Sequence, residues 1–528
     1  MDHRSRRLRH LRPRRPGVIS LSYVLLLGVS LASGAEYRNP VIPGDCPDPS
    51  IIRVGKEFWA TATSSEWGPQ FPILRSTDLV NWEQVGNVFA HRPAWATANF
   101  WAPEISTYKD KYYVYYVGRK SGGPLAVAVA IADQPGGPYV DHGPLVSQPM
   151  GSIDPVPVTD EKGERYLIWK EDGNSRKMPT LLWAQRLSED GLKLLGEPKE
   201  IMRNDAAWEG AVIEGPFVVR RGPWFYLFYS GSGCCGLGCN YALGVARAKS
   251  LLGPWEKNPA NPILPGNQQW KCPGHGSIVA DEQGRYWLLY HAYAAQNFIF
   301  TGREAMLDEV QFGSDDWPSI NGGNGPSATR PTPFGTGQKR APSFHDDFRT
   351  LRPGWQWFQD KEPSYKIESG WLVLSAKEAP EMPGAVLARS TTTGDYAASV
   401  NLDSASLKPG EFAGIAAVGD AANSLGLVLR DHKLVLWRRD KGVLRQLAEV
   451  ESPKGRQLGL RLIASKGDQF RFEASAEKGK WFSIGETQPG DRLPPWDRSI
   501  RLGLIAGGGE KVEARFDDFE LVDAAKPE

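Results

Sequence analysis

This 528-residue sequence has little net charge, few cysteines and only one long apolar run. Its formal net charge is +1, so it offers no strongly basic face of the kind that nucleic-acid binding requires. The apolar run, residues 18–31, is too short to span a membrane comfortably. The composition therefore argues against a nucleic-acid partner, and a length of 528 residues exceeds what one hydrophobic core usually organises.

The first residues have the pattern of a targeting segment. Seven arginines, at positions 4, 6, 7, 9, 12, 14 and 15, precede the apolar run, and Ser33-Gly34-Ala35 supplies small residues at a cleavage point. Residues 1–35 are predicted to be a signal peptide, with an uncleaved N-terminal anchor as the alternative. Cleavage would remove seven arginines and one aspartate, leaving a mildly acidic, secreted or periplasmic protein with no membrane partner.

A repeat runs through residues 36–326. Five aromatic, strand-like segments each follow a polar turn, and they begin 54 to 61 residues apart, at Phe58, Tyr112, Tyr166, Phe225 and Tyr286. One polar residue stands 8 to 12 positions before each aromatic: Asp48, Glu104, Asp154, Glu214 and His275. Self-similarity at such a period, with several short strands per unit, is typical of a β-propeller. Five units predict five blades, with the polar residues on the innermost strands. The alternative for each residue is a turn cap or Asx-turn.

The five cysteines, at positions 46, 234, 235, 239 and 272, follow the expected cleavage point. Export favours disulfides over free thiols, and an odd number leaves at least one cysteine without an intramolecular partner. Several stand close to the polar residues of the repeat, so we expect them near the mouth of the channel, where they would hold loops in place. A zinc site is the alternative, but Cys-Cys-x-x-x-Cys lacks the paired spacing of a metal motif.

The pattern changes after the repeat. Residues 327–343 are rich in Pro, Gly, Ser and Thr, which predicts a linker. Residues 344–528 contain short alternating segments without a sustained helical period, which predicts a β-sandwich. Asp346-Asp347-Phe348 near its start matches Asp517-Asp518-Phe519 near its end, as paired terminal strands would explain. The predicted fold class is all-β, a five-bladed β-propeller followed by a β-sandwich.

The motifs of the repeat resemble those of glycoside hydrolase family 43. The resemblance covers residues 36–325, and its elements appear in order: Cys46-Pro47-Asp48-Pro49-Ser50, Trp101-Ala102-Pro103-Glu104-Ile105, Ser152-Ile153-Asp154-Pro155, Ile213-Glu214-Gly215-Pro216, Gly274-His275-Gly276-Ser277 and Gly302-Arg303-Glu304. The resemblance implies a five-bladed propeller and an inverting glycosidase that acts on arabinose- or xylose-containing polysaccharides. The C-terminal unit resembles the sandwich that many exo-acting members carry.

Inverting hydrolysis requires a carboxylate that activates water and a carboxylic acid that protonates the leaving oxygen. The resemblance assigns the base to Asp48, the acid to Glu214, and to Asp154 the third carboxylate, which raises the pKa of the acid and orients it. A nearby like charge does disfavour ionisation. The alternative for each is a buried structural carboxylate.

Other residues are candidates for substrate contact. Trp101 is the candidate for stacking on the sugar, with Trp67 and Phe100 as further aromatic platforms and a core role as the alternative. By resemblance, Arg303 would contact a sugar hydroxyl or the catalytic carboxylates. His275 matches an axial histidine that lies near calcium in many relatives, so it is a candidate substrate and metal contact, with a hydrogen-bonded histidine as the alternative. No cofactor is expected to be required, with structural calcium as a possibility.

The favoured function is a secreted, exo-acting α-L-arabinofuranosidase or β-xylosidase that binds a polysaccharide or oligosaccharide. An endo-1,5-α-L-arabinanase is the near alternative. A retaining fructan-cleaving enzyme would carry an Asn-Asp-Pro motif and an acid followed by Cys, whereas this chain has Pro47-Asp48-Pro49 and Glu214-Gly215. A non-catalytic sugar-binding propeller is disfavoured because all three acidic positions are intact.

Overall fold

The computed structural model describes residues 35–296, 298–339, 343–477, 479–496 and 499–523. The expected signal peptide lies, except for residue 35, outside these residues. Nearly every described element is a β-strand. The exceptions are a short helix, α1 (Phe298–Thr301), and four single 3₁₀ turns (Gly173–Arg176, Ala207–Glu209, Asn321–Gly323, Ser404–Ser406). Within the described ranges, no helix has the length and apolar character to cross a membrane.

After a short strand β1 (Glu36–Arg38), the first part of the chain forms five four-stranded antiparallel sheets. Blade 1 contains β2 (Ser50–Val54), β3 (Glu57–Thr61), β5 (Gln70–Ser76) and β6 (Glu83–Phe89), while β4 (Trp67–Gly68) leaves this sheet. Blade 2 contains β7 (Ala96–Tyr108), β8 (Lys111–Lys120), β9 (Leu125–Ala132) and β10 (Val140–Val146). Blade 3 contains β11 (Ser152–Thr159), β12 (Arg165–Glu171), β13 (Leu181–Leu187) and β14 (Leu194–Arg203). Blade 4 contains β15 (Ile213–Arg221), β16 (Trp224–Gly231), β17 (Ala242–Ala248) and β18 (Glu256–Lys257). Blade 5 contains β19 (Trp270–Ala280), β20 (Tyr286–Ala294), β21 (Arg303–Phe312) and β22 (Pro318–Ile320).

The five sheets form a ring. The first strand of each blade packs against the first strands of both neighbouring blades, and β19 of blade 5 packs against β2 of blade 1. The predicted aromatic segments are the second strands, and their side chains fill the spaces between blades. Tyr226 and Phe228 of blade 4, for example, share a core with Leu288 and Tyr290 of blade 5. The predicted five-bladed propeller is confirmed.

The N-terminal segment joins the last blade to the first. Strand β1 pairs with β23 (Thr329–Pro331), which follows blade 5. The Tyr37 hydroxyl donates a hydrogen bond to the carbonyl of Leu307, and the Asn39 side chain both donates to and accepts from the backbone of the same residue. The predicted linker therefore begins as an ordered part of the propeller, because β23 lies within residues 327–343. Further along, Gly337 and Lys339 hydrogen-bond to Asn81 of blade 1.

The C-terminal part is a sandwich of two antiparallel sheets. One sheet contains β24 (Ser343–Asp346), β26 (Ser364–Glu368), β27 (Trp371–Lys377), β29 (Tyr396–Asp403), β34 (Gln457–Ser465), β35 (Gln469–Ser475), β36 (Phe482–Ser483), β37 (Gln488–Pro489) and β39 (Lys511–Asp523). The other contains β25 (Trp355–Phe358), β28 (Ala385–Ser390), β30 (Phe412–Asp420), β31 (Asn423–Arg430), β32 (Lys433–Asp440), β33 (Val443–Glu451) and β38 (Arg501–Gly507). Alternating side chains of both sheets form one apolar core. The expected pairing of the ends is confirmed, since β24 pairs with β39 and Asp346 lies opposite Phe519.

A strand of the propeller extends the sandwich. Strand β4 pairs with β25, so that Trp67 lies opposite Phe358 at the edge of the second sheet. The Trp67 ring stacks on Phe358, with 5.0 Å between ring centroids, and only 2 % of Trp67 is exposed. Trp67 was predicted to be a sugar platform, and this was wrong. Its ring is buried in the junction between propeller and sandwich, where a substrate cannot reach it.

A buried ion pair also joins the two parts. Arg501 of β38 donates a 2.7 Å hydrogen bond to Oδ2 of Asp45, and both side chains are almost fully buried. The other oxygen of Asp45 accepts a hydrogen bond from the backbone N–H of Arg303 in blade 5. This approach requires Gly302, whose φ is +99° and where a Cβ atom would lie 2.3 Å from the Asp45 carboxylate. The sandwich is therefore connected, through the side chain of Asp45, to the strand that carries Arg303.

Because the junction buries an ion pair, Arg501→Met should lower the free energy of unfolding by about 3 kcal/mol, the cost of leaving one buried charge unpaired. Chemical denaturation of the full-length variant measures this. Arg492→Met provides a control, because its partner Asp440 lies within the sandwich and Arg492 is 67 % exposed. If Arg501→Met loses no more stability than Arg492→Met, the ion pair to Asp45 does not stabilise the junction.

Candidate active site

A left-handed residue occurs at a corresponding place in each blade, just before the first strand in blade 1 and within the first strand in blades 2 to 5. These residues are Asp48, Ala102, Asp154, Gly215 and His275, with φ between 39° and 59°. In blades 2 to 5 the register of the first strand against the second shifts at this point, which is a β-bulge. A bulge turns neighbouring side chains away from the regular alternation, here toward the axis. The structural equivalents in blades 2 and 4 are therefore Ala102 and Gly215, rather than Glu104 and Glu214 as the sequence spacing indicated.

Asp48 lies among cationic and hydrogen-bonding groups from blades 1 and 5. Arg303 donates a 2.8 Å hydrogen bond to its Oδ1, and Thr63 donates a 2.7 Å hydrogen bond to its Oδ2. His291 Nδ1 lies 3.2 Å and His275 Nδ1 lies 3.4 Å from Oδ1. Burial alone would raise the pKa of Asp48, but the charges of Arg303 and His275 outweigh it and lower this pKa well below its usual range. Asp48 is an ionised carboxylate.

Glu214 is held by a buried lysine. Lys170 Nζ, on β12 of blade 3, donates a 2.6 Å hydrogen bond to Oε2 of Glu214 and a 3.3 Å hydrogen bond to Asp172. The Lys170 side chain is 1 % exposed. Burial would raise the pKa of Glu214, yet the charge and hydrogen bond of Lys170 lower it. The sequence drew attention to Asp154 as the neighbour of Glu214, but the strongest contact is this cation.

Asp154 lies beside Glu214 but forms no ion pair with a cation among the described residues. Its Oδ2 accepts a 2.9 Å hydrogen bond from the backbone N–H of Gly215. Burial raises the pKa of Asp154 to about 6, although the charges of His275 and Lys170 oppose the increase. Because the two carboxyl groups interact, they titrate as a pair, and the environment favours the proton on Asp154.

His275 lies between the two halves of the site. Its ring is 3.4 Å from Asp48, and a Cβ atom at position 215 would lie 2.7 Å from the same ring. Gly215 is thus required both by its positive φ and by the imidazole packed against it. One imidazole therefore separates Asp48 from the strand of Glu214, and the three predicted carboxylates converge on it.

The calcium contact at His275 stays a prediction; among the described residues, the carboxylate paired with its ring is Asp48, 3.4 Å away. Calcium takes six to eight oxygen ligands, whereas the nearest carboxylate, Asp48, already binds Arg303 and Thr63. In the described part of the chain, no group of three or more His, Cys, Asp or Glu side chains is placed to hold a metal ion.

Two other predicted positions differ in their exposure. Phe100 was predicted as a sugar platform, and this was wrong: it is completely buried and packs edge-on against Phe71, 6.0 Å away. Trp101, the next residue, remains partly exposed and packs beside Ala102 and Ile153, next to the bulges of blades 2 and 3. Trp101 therefore remains the candidate for stacking on a sugar. Burial raises the pKa of Glu104 to about 8, which makes it a neutral neighbour of the site.

Sequence reasoning missed a second set of polar residues, which lie on or just after the second strands. They are Thr63, Lys170, Ser230 and His291, and each contacts a residue at or beside one of the left-handed positions. Thr63 and His291 bind Asp48, Lys170 binds Glu214, and Ser230 accepts from the His275 N–H. A signal was present, because each follows the repeating aromatic of its unit by four or five positions.

Four cysteines form disulfides at this end of the propeller. Cys239, after β16, is bonded to Cys272 at the bulge of blade 5, and Cys234 is bonded to its neighbour Cys235. Cys234 and Cys239 pack against the cluster that contains Tyr241. Burial raises the pKa of Tyr241, and the charge of Glu214 raises it further. Cys46 is a buried free thiol. The expectation that disulfides lie near the mouth is confirmed.

Comparisons with known proteins agree with this architecture. Residues 37–318 match the model of glycosyl hydrolases family 43, and residues 345–520 match that of the β-xylosidase C-terminal concanavalin A-like domain. A xylosidase/arabinosidase 43B of Humicola insolens is 28 % identical over 359 residues, which cover 63 % of this chain and 61 % of that protein. An extracellular exo-α-(1→5)-L-arabinofuranosidase, ArbA, of Cellvibrio japonicus is 28 % identical over 57 % of this chain and 92 % of its own length.

Solved structures show the same arrangement of both domains. The crystal structure of the GH43 protein BlXynB from Bacillus licheniformis has a TM-score of 0.80 and is 25 % identical, covering 93 % of this chain and all of that one. A Bacteroides ovatus GH43B has the same TM-score at 21 % identity, which shows the fold alone. The match over more than half of the sequence establishes that the chain belongs to glycosyl hydrolases family 43.

Proposed function

We propose that this protein is an exo-acting, inverting glycosidase that removes xylose or arabinose residues from the ends of plant-type polysaccharide chains. The observation that carries the proposal is the contrast between two carboxylates at one end of the channel. Asp48 is ionised by Arg303, while Glu214 lies on the other side of His275, beside the proton-holding Asp154. One base and one protonatable pair are the groups that inverting hydrolysis requires.

In the proposed reaction, Asp48 accepts a proton from a water molecule, whose oxygen attacks the anomeric carbon from one face of the sugar. When substrate is bound, Glu214 takes over the proton of the pair that it forms with Asp154, and it donates this proton to the glycosidic oxygen as the bond to the leaving sugar breaks. The products are a free sugar of inverted configuration and a shortened chain with a new hydroxyl group. Asp154 holds the proton of the coupled pair when substrate is absent, and its hydrogen bond to Gly215 N–H places it next to the acid.

The position of the sandwich supports exo action. The loops that follow the second strands lie at the same end as the bulges, because the antiparallel pairing places Ile213 opposite Gly231 and Trp270 opposite Ala294. The sandwich contacts three of these loops, through Trp67 of blade 1, Gly236 of blade 4 and Phe300 of blade 5. A body attached to one side of the mouth narrows a groove toward a pocket.

The substrate class follows from the relatives, which are named xylosidases and arabinofuranosidases. Because ArbA is named as extracellular, and because disulfides persist in oxidising compartments, we also propose that the protein is exported. A polysaccharide or oligosaccharide would then be the partner in the medium.

Product analysis distinguishes exo action from endo action. On linear arabinan and on xylo-oligosaccharides, the exo hypothesis predicts monosaccharide from the first time point and no intermediate ladder. A ladder of oligosaccharides from linear arabinan would instead indicate an endo-arabinanase. Chromatography of early time points on both substrates measures the outcome and identifies the sugar.

The proposed roles of Asp48 and Glu214 predict a large loss of activity when either carboxylate is replaced. Asp48→Asn and Glu214→Gln should each lower kcat on a natural oligosaccharide by about 100-fold or more, because each removes one proton transfer. Proton NMR of the wild-type reaction should show the inverted anomer before mutarotation. Near-normal kinetics in a folded variant would remove that residue from the mechanism, and a retained anomer would contradict inversion.

The ion pair between Arg303 and Asp48 predicts how the pH dependence of activity changes when Arg303 is replaced. The pKa of Asp48 is lowered in the folded protein, so the base is ionised and active down to low pH. Arg303→Met removes the closest cation and should raise this pKa, so activity on the acidic side should be lost at a higher pH than in the wild type. The profile of kcat/KM against pH measures this. An unchanged acidic limb would show that Arg303 does not control the ionisation of Asp48.

A further inference from the structure

Lys170 is a buried cation in direct contact with the proposed acid. Its ammonium group bridges Oε2 of Glu214 at 2.6 Å and Oδ1 of Asp172 at 3.3 Å, with the side chain 1 % exposed. Lys170 lies directly across the strand pair from Ile153, the neighbour of Asp154. Burying a lysine costs free energy because its charge loses its hydration. Here the charge is compensated by two carboxylates instead of one.

The contact fixes which oxygen of Glu214 carries the proton. Oε2 accepts a hydrogen bond from an ammonium group, which has no lone pair with which to accept one in return. A proton on Oε2 would therefore face a cation and break that hydrogen bond. The transferable proton is thereby confined to Oε1, and the carboxyl group is held by the other oxygen while it reacts.

Asp172 limits how strongly the charge of Lys170 favours ionisation of Glu214. An ammonium group paired with Glu214 alone would favour the ionised carboxylate strongly, which opposes the role of an acid. The other charged or titratable groups that face Glu214 are Asp154 of β11, Tyr241 between β16 and β17, and His275 of β19. Only Asp172 competes with Glu214 for a hydrogen bond from Lys170 among the described residues.

We propose that Lys170 is a positioning residue for acid catalysis: it holds Glu214 by Oε2 so that the proton is presented from Oε1, while Asp172 shares the charge of Lys170 and keeps Glu214 protonatable. This inference rests on the proposed function, since it assigns a device to the acid of that reaction. A simple counter-ion would stabilise the fold without acting on proton transfer, and the two roles predict different kinetics.

Leaving-group dependence separates these roles. The dinitrophenolate group of a dinitrophenyl glycoside leaves without being protonated. The phenolate group of a phenyl glycoside of the same sugar requires a proton from the acid. Lys170→Met should therefore lower kcat/KM for the phenyl glycoside by about tenfold or more beyond its effect on the dinitrophenyl glycoside, because acid catalysis contributes only to the first. Equal losses on both substrates would overturn the proposal.

The pH profile of activity provides a second test, in which two variants should shift the basic limb in opposite directions. The acid must be protonated, so activity falls as pH rises through the pKa of the coupled pair. Lys170→Met removes the cation and should move this basic limb to higher pH. Asp172→Asn leaves the cation to Glu214 alone and removes a like charge, so it should move the limb to lower pH. Shifts in the same direction, or none in Asp172→Asn, would contradict the charge-sharing role.

A control comes from a second lysine that is paired with a buried carboxylate. Lys257, on the outermost strand of blade 4, lies 2.7 Å from the fully buried Glu209. Lys257→Met should lose stability without changing the ratio between the two substrates or the basic limb. If the wild-type protein hydrolyses no glycoside, the proposed function fails; if it does, but Lys170→Met behaves like Lys257→Met, only this inference fails.

Discussion

The site depends on one constraint: several ionisable groups are buried at one end of the channel, so each charge needs a partner of opposite sign. Isolated buried charges are expensive, and a group without a partner becomes neutral instead. Asp48 is paired with Arg303 and Glu214 with Lys170. Asp154 is left with a backbone N–H, and burial raises its pKa to about 6. The distribution of two cations over three carboxylates therefore decides which one holds a proton.

The backbone makes this distribution possible. A left-handed residue at each bulge costs conformational energy for non-glycine residues, and Asp is among the residues that adopt it most readily. The left-handed positions that strain Asp48 and Asp154 recur in every blade and bring side chains to one end of the channel. The second strands, and the residues just after them, then supply partners for these side chains, namely Thr63, Lys170 and His291. Fold and charge pairing thus both depend on the five left-handed positions, four of which lie at bulges.

Much of this could be predicted from the sequence, and the failures have physical reasons. The period of the aromatic strands predicted five blades, and the spacing of Asp48, Asp154 and Glu214 predicted that they would meet. Trp67 and Phe100 failed because aromatic residues beside a site have the same sequence pattern as aromatic residues in a core. Lys170 was not predicted because it follows the repeating aromatic of its unit, whereas the predicted site residues precede theirs. Its place within Tyr-Leu-Ile-Trp-Lys-Glu, a charged residue in an otherwise apolar strand, was the available signal.

The sandwich belongs to the same electrostatic arrangement. Arg501 binds Asp45, Asp45 binds the backbone N–H of Arg303, and the Arg303 side chain binds Asp48. The position of the cation that keeps Asp48 ionised therefore depends on a contact that only the second domain supplies. A propeller alone would retain all three carboxylates, yet Asp45 would lose its buried partner and Trp67 would be exposed to water. Through Asp45, the appended domain thus supports the strand that carries Arg303.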